Sequence, residues 1–264
     1  MGSEWLRRFA PSAAEQRAAD DAPQLICFPH AGGAASAYLP LARALGPTLD
    51  VLAAQYPGRQ DRRRERPVED LTRLADALTE QVRRTATGPY ALFGHSMGAV
   101  LAYEVARRLA DHRSAGPVAL ILSGRGAPGP VPHPHDRLAT DEEILRAVRR
   151  LGSSAGAVLD DPELRELAMP ALRADYAALG SYVWTPGPQL TVPVTVLVGD
   201  SDPVVDVAQA EAWSHFTTAS TRTLVFAGGH FFLDQHLPQV AEAVVSAFGL
   251  GARDQAALGA DLGH

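Results

Sequence analysis

Lysine is absent from the 264-residue chain, so all 24 basic side chains are arginine. That excludes Schiff-base chemistry, a lysine-anchored pyridoxal phosphate and a lysine-bearing phosphate loop. Cysteine is nearly absent. The single Cys27 excludes an intramolecular disulfide, and its place in the apolar run Leu25-Ile26-Cys27-Phe28 reads as a buried, inert thiol rather than a nucleophile. No run approaches the roughly 18 apolar residues of a membrane span. The opening "MGSEWLRRF" holds no apolar signal core, and Leu6 stands where a myristoylation signal needs Ser or Thr. These absences lead to the expectation of a soluble, cytoplasmic protein. A net charge of −6 excludes wholesale nucleic-acid binding. There is no H-E-x-x-H, and His133-Pro-His135 lies in a proline-rich loop without metal-ligand partners at useful spacing. No G-x-G-x-x-G opens a helix, so neither a metal nor a cofactor is expected.

What is present is a rhythm. At 46% hydrophobic and 20% charged residues, the chain suits a single globular domain with a sizeable core. Strand-length apolar runs occur at Leu25–Phe28, Val51–Ala54, Tyr90–Phe93, Val118–Leu122, Val194–Val198 and Thr223–Phe226. Between them, Leu71, Leu74, Ala75, Leu78 and Val82 recur at helical spacing, as do Leu101, Val105 and Leu109. Strands alternating with helices predict an α/β fold with a parallel sheet covered on both faces. From Arg125 to Pro193 the rhythm breaks. A proline-rich loop, "GAPGPVPHPHD", leads to "TDEE", a capping box opening a helix at Thr140, and a second helical stretch runs from about Asp161 to Leu179. A helical insertion of this kind, about 125–190, predicts a lid. Residues 10 to 22 and about 250 to 264, rich in Ala, Gly and Asp, are expected to fray.

The chemistry centres on Gly94-His95-Ser96-Met97-Gly98, a G-x-S-x-G spacing at the end of an apolar run. Such a strand–serine–helix turn exposes a strained serine hydroxyl, with glycines allowing strand and helix to close up. An acid and then a base should follow in chain order. Past the apolar run at 194–198, "GDSDPVVD" offers Asp200, Asp202 and Asp206. Asp202 precedes a proline and takes an extended turn, whereas Asp206 is better placed to cap the next helix; Asp202 is preferred, with Asp200 next. The base is sought in "VFAGGHFFLDQH", where two glycines before His230 allow close approach to the serine turn; His215 and His236 fall in or beside helical stretches, at the surface. Backbone N–H groups for an oxyanion are expected from Met97, directly after the serine, and from the loop "FPHAGGAAS", with Ala31 as the leading donor.

Together with "WLRRF", "CFPHAGG", "QYPGRQDR", "GHSMGAVLAYEVAR", "SGRGAP", "LRADY" and "GGHFFL", these residues make the chain resemble the type II thioesterases, free-standing α/β-hydrolase partners of modular polyketide and nonribosomal peptide synthases. The resemblance runs from Trp5 to about Phe248. It implies a Ser96–Asp202–His230 triad, oxyanion donors at Ala31 and Met97, and a lid near 125 to 190. It also implies a substrate: acyl groups held as thioesters on the phosphopantetheine arm of an acyl- or peptidyl-carrier protein, cleared when stalled or mis-primed. Gly126 stands where the family more often carries a second arginine. A general carboxylesterase or lipase shares the triad and differs in its leaving group, and a non-catalytic carrier-binding partner is the remaining alternative. Carrier proteins are generally acidic, and the loop "GRQDRRRERP" gathers Arg59, Arg62, Arg63, Arg64 and Arg66 as a local docking charge on an otherwise negative protein.

Overall fold

The computed structural model describes residues 5–9, 22–110, 116–152 and 159–250. Apart from residues 22 and 250, the stretches expected to fray lie outside the described residues.

The six apolar runs become β2 to β7 of a seven-stranded sheet: β1 (Leu6–Arg8), β2 (Gln24–Phe28), β3 (Asp50–Ala54), β4 (Tyr90–His95), β5 (Ala119–Ser123), β6 (Val194–Gly199) and β7 (Thr221–Phe226). Their order is β1-β3-β2-β4-β5-β6-β7, and every pairing except β1 with β3 is parallel. Period-two alternation splits the strand residues between two cores. Ile26, Phe28, Leu92, Leu120 and Leu122 face one, and Leu25, Cys27, Phe93 and Ile121 face the other. Helix α1 (Leu39–Leu45) joins the second core. Helices α2 (Leu71–Thr85) and α3 (Met97–Ala110) join the first, with Leu71, Leu74, Ala75, Leu78 and Val82 all inward as their spacing predicts. Asp70 caps α2 by accepting from the Arg73 N–H at 3.0 Å.

Between β5 and β6 lies the inserted segment. It holds a 3₁₀ turn at Pro134–Asp136, then α4 (Asp141–Arg150) and α5 (Pro162–Ser181). The expected capping box is present: Thr140 accepts from the Glu143 N–H, and Glu143 accepts from the Thr140 N–H. Asp161 caps α5 with Pro162 in its first turn. Side-chain contacts brace the segment internally and against the core. Arg125 pairs with buried Asp136 (Nη1 to Oδ1 2.8 Å), Arg173 joins α5 to Asp141 of α4 at 2.6 Å, and the Tyr182 hydroxyl donates to Glu104 of α3 at 2.7 Å. Short helices α6 (Val207–Glu211) and α7 (Phe232–Gln235) and helix α8 (Leu237–Ala247) follow β6 and β7 among the described residues, α8 joining α1 in the second core.

β1 departs from the sequence expectation, which contains no strand there. Its three residues, "LRR", carry only one inward apolar side chain, Leu6, and no alternation long enough to register as a strand. The pairing comes from the backbone of β3, continued by the Gln55 N–H donating to the Trp5 carbonyl at 2.8 Å.

Candidate active site

Ser96 sits alone between β4 and α3, with φ at 57°. For an L-residue that left-handed conformation costs about 1–2 kcal/mol, so the surroundings must impose it. They do so by crowding. A Cβ on Gly98 would stand 1.8 Å from the Phe28 carbonyl oxygen, and one on Gly94 would stand 2.0 Å from the Gly98 carbonyl oxygen. Strand and helix therefore approach with no room for a side chain at either flank. The Ser96 N–H donates to the Ser123 carbonyl at 2.8 Å and its own carbonyl accepts from Ala99 at 3.0 Å, which locks the turn. Met97 is the first residue of α3, so its N–H has no acceptor within the helix.

The residues expected as acid and base, Asp202 and His230, follow the ends of β6 and β7. Asp202 Oδ2 lies 2.8 Å from His230 Nδ1, and both side chains are buried (0% and 1% exposed). The second carboxylate oxygen, Oδ1, accepts from the Val204 N–H at 2.9 Å. Asp200, the runner-up, is committed elsewhere. Its carboxylate accepts from the Gly228 N–H at 2.9 Å and the Ser201 hydroxyl at 2.8 Å, chiefly the first of which holds it below the ordinary carboxylate range. Asp206 caps α6 in a reciprocal box with Gln209. The His230 loop presses against the end of β6: a Cβ on Gly199 would lie 2.4 Å from the Gly228 carbonyl oxygen. His230 Nε2 is buried without a hydrogen-bond partner, and His230 lines the same cavity as Ser96. His215 is exposed, and His236 donates from Nε2 to the Ala227 carbonyl at 2.8 Å. Cys27 is fully buried in the sheet, and burial pushes its thiol up.

That cavity, about 200 Å³, has His30, Ala31, Gly32, Ser96, His230 and Phe231 on its sheet side. Val148, Leu151, Leu159, Ala168, Leu172 and Tyr176 of the inserted segment line it from the other. A hydrocarbon chain suits such a lining, and the polar groups converge at the sheet end.

A thioesterase-domain family model matches residues 23–248. A probable cadicidin biosynthesis thioesterase of Streptomyces griseus is 44% identical over 93% of this chain and 66% of its own length. Thioesterase PikA5 of Streptomyces venezuelae is 37% identical over 91% of this chain and 84% of its own length. Among solved structures, the type II thioesterase BorB from the borrelidin biosynthetic cluster superposes with a TM-score of 0.84 at 43% identity, covering 94% of this chain and 99% of BorB. RedJ, a thioesterase of the prodiginine pathway in Streptomyces coelicolor, gives 0.78 at 36% identity over 86% and 87%. The chain belongs to the type II thioesterases.

Two parts of this thioesterase's site carry no signal in the spacing of its motifs. The first is a set of histidine rings around the base. His95 lies 4.9 Å and Phe231 5.2 Å from His230, with His30 packed on Phe231 at 5.0 Å. Burial, then the neighbouring His230, push His30 down to about 4; burial, His230 and His30 hold His95 well below its usual value. Both are neutral near pH 7, and the His95 ring reaches the Ser123 hydroxyl at 2.9 Å. Gly124 leaves room for them, since a Cβ there would stand 2.6 Å from the His95 ring. The second is an ion pair against the loop after β2. Buried Arg59 pairs with buried Asp175 of α5, and Asp175 also accepts from the Gly32 N–H at 2.7 Å. Arg62 is internal too, donating to the Gln55 carbonyl at 2.8 Å and to Glu65 and stacking on Trp5 at 4.4 Å. Of the five arginines in this loop, only Arg63, Arg64 and Arg66 are exposed at the surface. Here tertiary burial overrides the ordinary reading of an arginine run as a solvated face.

Proposed function

We propose that this thioesterase releases acyl groups held as thioesters on the phosphopantetheine arm of a carrier protein, clearing stalled or mis-primed units from polyketide or nonribosomal peptide synthases in the cytoplasm. The observation that carries the reading is the buried Asp202–His230 pair opening onto the same apolar chamber as the strained Ser96. The relatives named for cadicidin biosynthesis and for the borrelidin biosynthetic cluster support the substrate class.

Ser96 Oγ attacks the thioester carbonyl while His230 Nε2 takes its proton. Asp202 holds Nδ1–H and stabilises the imidazolium without being protonated itself. The Ala31 and Met97 N–H groups receive the charge developing on the carbonyl oxygen. The C–S bond then breaks, and the thiolate takes the proton from His230. A thiol of pKa near ~8.5 asks little of that acid. Water, deprotonated by the same histidine, releases the carboxylic acid and restores Ser96. The segment 125–190 forms the lid, with α4 and α5 moving to admit the acyl chain. No helix among the described residues is long and apolar enough to cross a membrane.

The test is hydrolysis of an acyl-carrier protein, a small acyl thioester and the matched oxyester by wild type and Ser96→Ala. Thioesters should be turned over faster than the oxyester, and Ser96→Ala should lose on the order of 10⁶-fold in kcat. Faster oxyester hydrolysis would move the enzyme to the carboxylesterases, and an unimpaired Ser96→Ala would remove the serine from the mechanism.

A further inference from the structure

The loop after β2 is held at its two ends and, between them, by a hydrogen bond to the inserted segment. The Tyr56 hydroxyl donates to the Pro29 carbonyl at 3.2 Å, and the Gly33 N–H closes a turn onto the His30 carbonyl at 2.9 Å. Between them Gly32, at φ +75°, donates its N–H to Asp175 of α5 at 2.7 Å, 143 residues further along the chain. Asp175 is 1% exposed and is itself gripped by Arg59, which donates to both carboxylate oxygens and to the Pro57 carbonyl. An acceptor that is ionised makes a hydrogen bond about twice as strong as a neutral one. A buried ion pair, by contrast, contributes little net stability over well-packed apolar residues of the same volume. The pair is therefore better explained by what its spare bonding capacity holds than by stability.

What it holds is the peptide next to Ala31. We propose that Asp175 is a positioning residue for the oxyanion site: anchored by Arg59, its carboxylate fixes the Gly32 amide, and through it the orientation of the adjoining Ala31 peptide. The proposal rests on the reading of Ala31 as an oxyanion donor. It has a second consequence, because Asp175 belongs to the lid. Leu172 and Tyr176, three residues before and one after it, line the acyl chamber, and Leu172 packs so closely on the loop that a Cβ on Gly32 would stand 2.5 Å from it. One turn of α5 thus touches the acyl chain and holds the oxyanion loop together. With α5 displaced, Gly32 loses its acceptor, so the oxyanion site is complete only when the lid helix is seated over its substrate.

Removing Asp175 alone would leave the Arg59 charge buried and unpaired, so the pair is replaced together. Arg59→Leu with Asp175→Leu should lower kcat on a small acyl thioester by about 10- to 100-fold, short of the 10²–10³ for losing a donor outright, with KM within about threefold. The conservative Arg59→Gln with Asp175→Asn, which keeps an acceptor for Gly32, should recover at least about tenfold of that loss. Should the leucine pair not fold, replacing the Gly32 amide by an ester deletes only the donor and leaves the ion pair whole; the same fall in kcat is expected. A Gly32 ester with wild-type kcat overturns the proposal. The matching ester at Ala31 separates the two readings. If it loses about 10²-fold while the Gly32 ester loses nothing, the oxyanion assignment stands and Asp175 positions nothing. If the Ala31 ester is as active as wild type, that assignment fails and the proposal falls with it.

Discussion

The floor and the roof of the acyl chamber are built by different means. On the floor, positions are set by backbone crowding. Gly94, Gly98 and Gly199 each sit where a methyl group would overlap a carbonyl oxygen, and the serine, acid and histidine loops are held by main-chain hydrogen bonds at the ends of parallel strands. On the roof, the inserted segment presents side chains, and Val148, Leu159, Ala168 and Leu172 share one apolar surface. A geometry fixed by main chain tolerates almost no substitution, while a wall of side chains is adjustable one residue at a time. Chemistry should therefore be brittle and substrate range plastic.

The sharpest way to break that contrast lies within the floor itself. Asp202→Asn should cost about 10⁴-fold in kcat, because the orienting carboxylate fixes the histidine tautomer. Asp200→Asn should cost less than about tenfold, since Asp200 holds only the Gly228 amide and Ser201. Steady-state kinetics of both on one acyl thioester decide the matter, and the reverse ranking would hand the acid's role to Asp200. On the roof the scale is smaller. Ala168→Leu should fill chamber volume and lower kcat/KM for long acyl chains relative to short ones by about 10- to 200-fold, the range a hydrophobic pocket can discriminate. A uniform fall across the acyl series would show that the roof is as brittle as the floor.

The same division decides how much the sequence discloses. The strained turn at Ser96 and the Asp202–His230 contact are legible because each is announced by local chain chemistry: paired glycines, a residue before proline, the ends of apolar runs. The strands β2 to β7 are legible from their apolar runs for the same reason. Arg59 and Asp175 are not, although both fall in quoted motifs, because their meaning is a contact between residues 116 apart. Nothing in "GRQDRRRERP" tells Arg59 and Arg62, which are buried, from Arg63 and Arg64, which are exposed. β1 is hidden because its order comes from the edge of β3 rather than from its own three residues. His95 reads as a spacer inside the G-x-S-x-G turn until the fold sets its ring against His230.

Those neutral rings give a smaller effect on stability. The folded chain holds His30 at about 4 and His95 well below its usual value, while in the unfolded chain both titrate near ~6.5. Below that pH the unfolded state binds protons that the native state refuses. Stability is therefore full above about 6.5 and falls as pH drops toward 4, by up to about 1.4 kcal/mol per pH unit for each buried ring. Thermal unfolding between pH 4.5 and 7.5 should show Tm falling with acid, and His95→Gln should flatten the slope. A Tm independent of pH in that window would mean that the floor does admit the charge.

The smallest effect concerns a surface outside both floor and roof. Arg63, Arg64 and Arg66 are exposed on the loop whose other two arginines are internal, a local positive charge on a chain of net charge −6. Local charge at the rim of an interface sets association rate and salt dependence more than affinity. Hydrolysis of an acyl-carrier protein at subsaturating concentration should therefore slow by several-fold as salt rises, because the Debye length shrinks from ~10 Å at 0.1 M to ~3 Å at 1 M. A small neutral acyl thioester needs no such steering, so its hydrolysis should change little. Replacing Arg63, Arg64 and Arg66 by glutamine should flatten the salt slope on the carrier and leave the small substrate untouched. Arg62→Gln serves as the contrast. It breaks the contacts to Gln55, Glu65 and Trp5, so it should lower Tm without altering the salt slope. An unchanged slope in the triple variant would leave the loop a solvated edge, with carrier docking sought elsewhere on the protein.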